Sequence, residues 1–399
     1  MLLMVSGLLL MDEMSYHAAA AEMTETVLDG WVTDAAGKIH YYVNGEKLTG
    51  LQVIDSKMYY FTLEKGNMLQ SSWKKFAEGK RYFCKDGTCA TGLKKVGDNT
   101  YYFDTETGIM ATSTWMTFSA GKSYFTSGGV RVTGRKKKID GKYYYFNSKG
   151  IMKTGLRTIN SKTFYFSPST GVMVQSKWVT FSNGKSYFNS NGVRAIGLKK
   201  ISGKYYYFNT KGILQTGTIT VGSDTYYADS TGVLEHWIVD GVYYNSAGEK
   251  MDSVAVKEFQ TMLRAEAIAE SITTSDMTQA QKLKVCFDWV MSKHYATMTV
   301  GINYPGWTAD HANDHFLYGR GNCFADACAM AYLAVAIGYT EVYVCSDSTG
   351  SGAHGWCEIN GLVYDPLFAQ AKSYSKYYGA SYSSYYTSKP ALHVKIEKN

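Results

Sequence analysis

The sequence predicts two fold classes in one chain, an all-β solenoid of hairpin repeats followed by an α+β domain. Three observations carry that expectation. Phenylalanines at positions 61, 83, 103, 125, 146, 166, 188 and 208 recur at spacings of 20 to 22 residues. The composition, with 34 Tyr, 17 Phe, 8 Trp and 39 Gly against 4 Pro in 399 residues, suits short strands joined by glycine turns. After Met251 the glycine and tyrosine pattern stops, and Leu283, Phe287, Val290 and Met291 take up helical spacing.

Residues 2–11 are apolar and residues 18–21 are all Ala, directly ahead of Glu22. This reads as a secretory signal peptide over residues 1–22, without the usual basic start. Such an apolar run is too short for a bilayer, and no other segment approaches the roughly 20 apolar residues of a spanning helix. The mature protein is expected to be secreted and associated with the cell wall.

Residues 23–251 are read as the repeat array. A typical unit starts at Gly197, runs Leu-Lys-Lys-Ile, turns at Ser-Gly, continues Lys-Tyr-Tyr-Tyr-Phe208 and turns again to Gly217. Each unit is therefore a β-hairpin. One hairpin alone is marginal in water, so neighbours must stack and bury their aromatic faces. Two hairpin types alternate irregularly, because Trp73, Trp115 and Trp178 each open a near-identical stretch, with Trp31 and Trp237 in related settings near the two ends. Residues 252–399 carry 11 Lys and Arg against 14 Asp and Glu. That leaves 30 of the 41 basic and 20 of the 34 acidic residues to the first part, +10 against −3. A basic array favours an anionic polymer such as a teichoic acid or nucleic acid.

These units resemble the cell-wall-binding repeats of choline-binding proteins, glucan-binding enzymes and large clostridial toxins. The resemblance implies a superhelix of hairpins that binds choline on teichoic acid, or sugars, between neighbouring units. Trp31, Trp73, Trp115, Trp178 and Trp237 are the expected ligand groups, and most Tyr and Phe are expected to be hairpin core. Choline-binding repeats usually carry Trp just before the paired tyrosines, where this chain has Tyr143, Thr163, Ser186 or Tyr205. A glycan or another wall polymer is therefore favoured over choline. Cys84 and Cys89 flank a four-residue loop, where opposed Cβ atoms reach disulfide distance. A local disulfide is expected there.

Residues 252–399 are read as a separate domain, with helix over residues 254–295. Further on, Asn322 is a favourable N-cap and Gly338 a stop, so Cys323 lies in the first turn of a helix. Unpaired N–H groups and the helix dipole there favour a thiolate, which makes Cys323 the best nucleophile in the chain. Cys328 lies roughly 140° round the helix and is assigned to the core. Asn360-Gly361 signals a two-residue hairpin turn. Pairing Ile359 with Leu362 then sets Trp356 opposite Asp365, with His354 and Asp365 as diagonal neighbours on one face and Cys357 on the other.

A thiol at a helix start, a strand histidine and an orienting carboxylate form the logic of thiol acyl transfer. Residues 282–368 resemble the transglutaminase-like superfamily through Phe287-Asp-Trp289, Gly-Asn-Cys323, His354-Gly-Trp356 and Tyr364-Asp365-Pro366. The resemblance implies a papain-like core with Cys323 as nucleophile, His354 as general base and acid, and Asp365 as orienting carboxylate. Asn313, His315 and Tyr318 stand as candidates for a second oxyanion donor beside the Cys323 N–H.

The reading that follows is a wall-held thiol enzyme acting on amides, a peptidase first. A glutamine-to-lysine transglutaminase and a non-catalytic adhesin are the alternatives. No cofactor and no metal are expected: Cys323, Cys328, Cys345 and Cys357 do not converge, and His311 and His315, four residues apart without a third ligand, are assigned to the surface. The expected partners are a cell-wall polymer or glycan (teichoic acid or polysaccharide) and a protein or peptide substrate, with no nucleic acid and no membrane span.

Overall fold

The computed structural model describes residues 28–350, 352–387 and 389–398, so the expected signal peptide lies outside the described residues. Two compact units make up the chain, one ending at Val174 and the other beginning at Gln175. Among the described residues, no helix is long and apolar enough to cross a membrane.

The first unit is a run of antiparallel hairpins. Gly50–Ile54 pairs with Lys57–Phe61, Ser72–Lys75 with Lys80–Phe83, and Gly92–Val96 with Asn99–Phe103. The same pattern continues through Lys162–Phe166. The phenylalanine that ends each second strand reaches back to the connecting segment, as in the bridges Phe61 to Met68 and Phe103 to Met110. That segment also bonds to the preceding hairpin, with Cys89 N donating to Met58 O at 2.7 Å and Met110 N to Lys80 O at 2.8 Å. Stacking is thus fixed by backbone bonds as well as by rings. The periodic phenylalanines from Phe61 to Phe166 are 0% exposed, each worth roughly 1.5–3 kcal/mol on burial.

The expected Cys84–Cys89 disulfide is not formed, and both thiols are free. The register explains why. Cys89 bridges Phe83, while Cys84 N bonds to Thr88 O at 2.8 Å. Side chains alternate along each strand, so this offset by one residue sends the two cysteines to opposite faces. Cys89 packs with Tyr60 and Phe83, whereas Cys84 packs with Ala90 and Phe103. Burial pushes the Cys89 thiol up to about 11.

The second unit begins with hairpins of the same kind, Lys177–Phe181 with Gly184–Phe188 and Gly197–Ile201 with Lys204–Phe208. A four-stranded sheet then closes at Val242–Asn245. Strand gives way to helix at Asp252, whose carboxylate caps α1 (Ser253–Ile272) by accepting from Val254 N and Ala255 N. Within this unit the last strands rest on α1: Phe259 stacks on His236 with centroids 4.5 Å apart, and Gln260 Nε2 donates to Tyr243 O–H at 2.9 Å. The boundary between compact units therefore falls well ahead of the change in secondary structure.

The helix expected over residues 254–295 is two helices. α1 ends at Thr273, and Thr278 starts α2 (Gln279–Met291) through a reciprocal capping box with Gln281. The intervening Thr, Ser and Asp side chains compete for backbone groups and break the helix. α3 (Trp307–Tyr318) and α4 (Cys323–Ala336) follow. α4 is the centre of the core, buried along its length from Cys323 to Val335. Against it lies a five-stranded sheet of β1 (Val342–Ser346), β2 (Gly355–Ile359), β3 (Leu362–Tyr364), β4 (Tyr378–Ala380) and β5 (Leu392–Lys395), in the order β4-β3-β2-β1-β5. The β2–β3 turn has Asn360 and Gly361 at φ 50° and 80°, and Ile359 pairs with Leu362. α5 (Pro366–Ala371) leaves β3 with Asp365 as its N-cap.

Candidate functional site

Cys323 is the first residue of α4, where Asn322 Oδ1 accepts from Phe324 N at 3.0 Å and from Ala325 N at 3.1 Å. The cap leaves the Cys323 N–H unspent at the helix start. Cys323 is 9% exposed and opens on a cleft of about 600 Å³, lined also by Tyr295, Gly301, His311, Gly350 and Ala353. Strand β2 reaches the first turn of α4 because Gly355 has no side chain. A Cβ there would meet Phe324 Cδ1 at 2.5 Å.

That approach brings His354 beside Cys323. His354 Nε2 donates to Asp365 Oδ2 at 2.7 Å, and its ring stacks on Phe368 at 4.2 Å and 10°. With Nε2 engaged, Nδ1 is the nitrogen left for the Cys323 thiol. Asp365 is 0% exposed, yet its lone pairs are used: Oδ1 accepts from Phe368 N at 3.0 Å and Oδ2 also accepts from the Tyr385 hydroxyl at 2.7 Å. Burial works against a charge on His354, but hydrogen bonds to Asp365 and Cys323 outweigh it and push the imidazole up to about 9. The structure thus brings Cys323, His354 and Asp365 together as a line of thiol, imidazole and carboxylate.

The other cysteines of the domain are elsewhere. Cys328 and Cys357 are 0% exposed, and burial pushes both thiols up. None of the three residues named for a second oxyanion donor lines the cleft. Asn313 is held by Arg264 and Thr261, His315 Nε2 donates to Asp326 at 2.6 Å, and Tyr318 is 62% exposed. Tyr295 does line it, and burial with the charges of Cys323 and Asp326 pushes its phenol up. The surface assignment of His311 and His315 is corrected: both are buried, and His311 Nε2 bonds to Gly301 O at 2.8 Å. The alanine-rich helix α4 lets α3 pack closely and takes this face out of solvent.

Sequence reasoning missed Tyr385, Tyr386 and Phe368. Tyr386 O–H donates to Asp347 Oδ2 at 2.8 Å, and Asp347 Oδ1 accepts from His354 N at 2.9 Å. Phe368 lies on α5, and the Tyr- and Ser-rich stretch over residues 373–388 that carries the two tyrosines has no helical or alternating period to announce a fold.

Along the array, four tryptophans repeat one arrangement. Trp73 touches Tyr82 of its own hairpin at 5.1 Å, and Tyr101 and Phe103 of the next at 5.0 and 5.7 Å. Trp115 meets Tyr124, Tyr144 and Phe146 in the same way, as Trp178 meets Tyr187, Tyr206 and Phe208. Trp31 meets Tyr41, Tyr59 and Phe61. Each triangle has a buried Phe floor; Trp31, Trp73 and Trp178 are 43%, 38% and 38% exposed, Trp115 is half-buried, and the tyrosines are half-buried apart from Tyr59, which is buried. Trp237 is a correction: it is 3% exposed, stacked on Tyr244 and in tilted contact with Tyr205, and belongs to the core. It sits on the third strand of the four-stranded sheet, Leu234–Val239, and clusters with Tyr226, Ala228 and Leu234.

Residues 70–115 and 132–178 match the choline-binding repeat, and residues 176–193 and 196–214 match the cell wall binding repeat. Choline-binding and cell wall binding repeats are thus present within residues 70–214 of the array. Among solved structures, CbpJ from Streptococcus pneumoniae TIGR4 is similar at 23% identity, covering 55% of this chain and 99% of its own, with TM-score 0.37. Choline binding protein F from Streptococcus pneumoniae is similar at 22%, covering 56% and 98%, with TM-score 0.34. The modular autolysin LytC from Streptococcus pneumoniae, in complex with a synthetic peptidoglycan ligand, is similar at 22%, covering 51% and 47%, with TM-score 0.38. No curated protein matches the chain.

Proposed function

We propose that this protein is a cell-wall-held thiol enzyme, in which residues 23–251 bind a wall polymer and residues 252–399 attack an amide through Cys323. The observation that carries the enzymatic part is the buried Asp365 bonded to His354 Nε2, with the other imidazole nitrogen left for a thiol at a helix start. This is the transglutaminase-like chemistry that the sequence suggests. The Cys323 sulfur adds to the amide carbonyl, and the oxyanion is met by the Cys323 N–H. His354 passes its proton to the departing amine as the C–N bond breaks, leaving a thioester. Water, deprotonated by His354, then splits the thioester to a carboxylic acid and the free thiol. Asp365 holds the ring and stabilises its charged form throughout.

For the array, each Trp–Tyr–Tyr cluster presents a partly exposed tryptophan beside tyrosines of its own and the next hairpin, an aromatic surface that attracts a quaternary ammonium by cation–π contact. The tryptophan comes from the first strand of a hairpin rather than from beside the tyrosine pair. That removes the ground for preferring a sugar, and choline on a teichoic acid is the ligand proposed.

The test is mass spectrometry of wall material and peptides after incubation with the full chain and with Cys323→Ala. New carboxyl termini that need Cys323 support the peptidase; ammonia loss into amide cross-links would replace it with the transglutaminase. No Cys323-dependent product, with wall binding intact, would leave an adhesin.

A further inference from the structure

We propose that Cys345, Glu358 and His393 form a divalent-metal site of the zinc class, on the sheet beside the candidate catalytic residues. Strand register places them together. Cys345 on β1 lies directly opposite His393 on β5 and opposite Trp356 on β2, and Glu358 is two residues beyond Trp356. Alternation along the strands therefore turns all three side chains to one face.

Their ligand atoms already stand near coordination geometry. Cys345 Sγ is 3.8 Å from Glu358 Oε2, His393 Nε2 is 3.2 Å from the same oxygen, and all three atoms lie within 4.8 Å of one another. A tetrahedral zinc with bonds of about 2.0–2.3 Å needs ligand-to-ligand edges of about 3.3–3.6 Å, so shifts of a few tenths of an ångström to about 1 Å suffice. The donor set selects the metal. A thiolate with an imidazole and one carboxylate suits zinc, whereas calcium and magnesium require oxygen ligands.

The second shell and the entry path are present as well. Tyr382 O–H donates to Glu358 Oε2 at 2.7 Å and faces Cys345 Sγ at 3.8 Å, and Trp356 Nε1 donates to the Tyr382 oxygen at 3.1 Å. Cys345 is fully buried, while the His393 side chain is 41% exposed, so an ion enters from the His393 side. Three protein ligands leave one position for water or the Tyr382 phenol. Without metal, burial and the Glu358 charge push the Cys345 thiol up. Because the ligands come from three adjacent strands, the ion ties the edge strand β5 to the strands that carry the candidate site.

Cobalt(II) is the probe. The reduced, chelator-treated full chain is titrated with cobalt, and thiolate-to-cobalt charge transfer is read in the near ultraviolet. We expect a band that saturates at one ion per chain, is displaced by zinc, persists in Cys323→Ala, and is lost in Cys345→Ser and in the surface variant His393→Ala. Circular dichroism confirms that His393→Ala is folded. Absence of the band in the native chain overturns the site. So does a band that survives His393→Ala, or one that disappears in Cys323→Ala.

Discussion

Asp365→Asn separates the electrostatic role of the carboxylate from its structural one. The amide oxygen can keep the bond from Phe368 N, so α5 keeps its cap, for which Asn serves as well as Asp. The amide nitrogen then faces His354, which turns Nε2 from donor to acceptor and moves the ring proton to Nδ1, the nitrogen on the Cys323 side. The magnitude follows from the imidazole. Against the cost of burial, Asp365 and Cys323 together lift His354 from 6.5 to about 9, with Asp365 the larger contributor. At 1.36 kcal/mol for each pH unit this is about 3 kcal/mol. Losing the larger part should slow alkylation of Cys323 by iodoacetamide near pH 6 roughly ten- to hundredfold, and turnover by up to about 10⁴-fold as in serine triads. The assay is pulsed alkylation followed by peptide mass spectrometry, with the half-buried Cys84 as internal reference. In the native chain Cys323 should react first although it is only 9% exposed. Equal labelling of Cys323 relative to Cys84 in native and Asp365→Asn proteins of equal melting temperature would refute the reasoning.

Stability should also report on the same pair. A folded-state value of about 9 above an ordinary 6.5 gives a stabilisation fully present below pH 6.5 and lost as pH rises through 9. Urea melts should show a loss between pH 6 and 10 that is about 2–3 kcal/mol larger in the native protein than in Asp365→Asn, and parallel profiles would count against it. Trp73→Ala should weaken retention on a choline-bearing matrix and lower stability less than truncation of a fully buried Trp does, since the ring is 38% exposed. Trp237→Ala, by contrast, should cost about 3–5 kcal/mol of stability in a denaturant melt. Gly355→Ala forces a Cβ against Phe324; we expect a loss of about 1–3 kcal/mol in the melt and loss of the preferential Cys323 alkylation.

Much of the architecture was legible because it is local. The Phe61-to-Phe208 period announced the hairpins, since a repeat that cannot bury its aromatic face alone must stack on a neighbour. Asn322 and Gly338 bracketed α4, and Asn360-Gly361 set the β2–β3 register that puts His354 and Asp365 on one face. The cysteine pair in the array was misread because its register depends on the turn, and a slip of one residue reverses the face. Tyr385 and Tyr386 escaped notice because their partners, Asp365 and Asp347, lie 20 and 39 positions away.

The sequence by itself determined what depends on neighbours within a few residues: the hairpin units, the capped start of α4 at Cys323, and the alternation that pairs His354 with Asp365. Burial and company were decided only by tertiary structure. Trp73 and Trp237 occupy similar sequence settings, yet one ring is partly open and the other is enclosed among Tyr205, Tyr226 and Tyr244. Asp365 is a common turn residue until Tyr385, 20 positions on, closes over it. The physical reason is that propensity, capping and register act through backbone bonds between near neighbours. The charge on an imidazole or the openness of a ring depends instead on which distant segments exclude water from it.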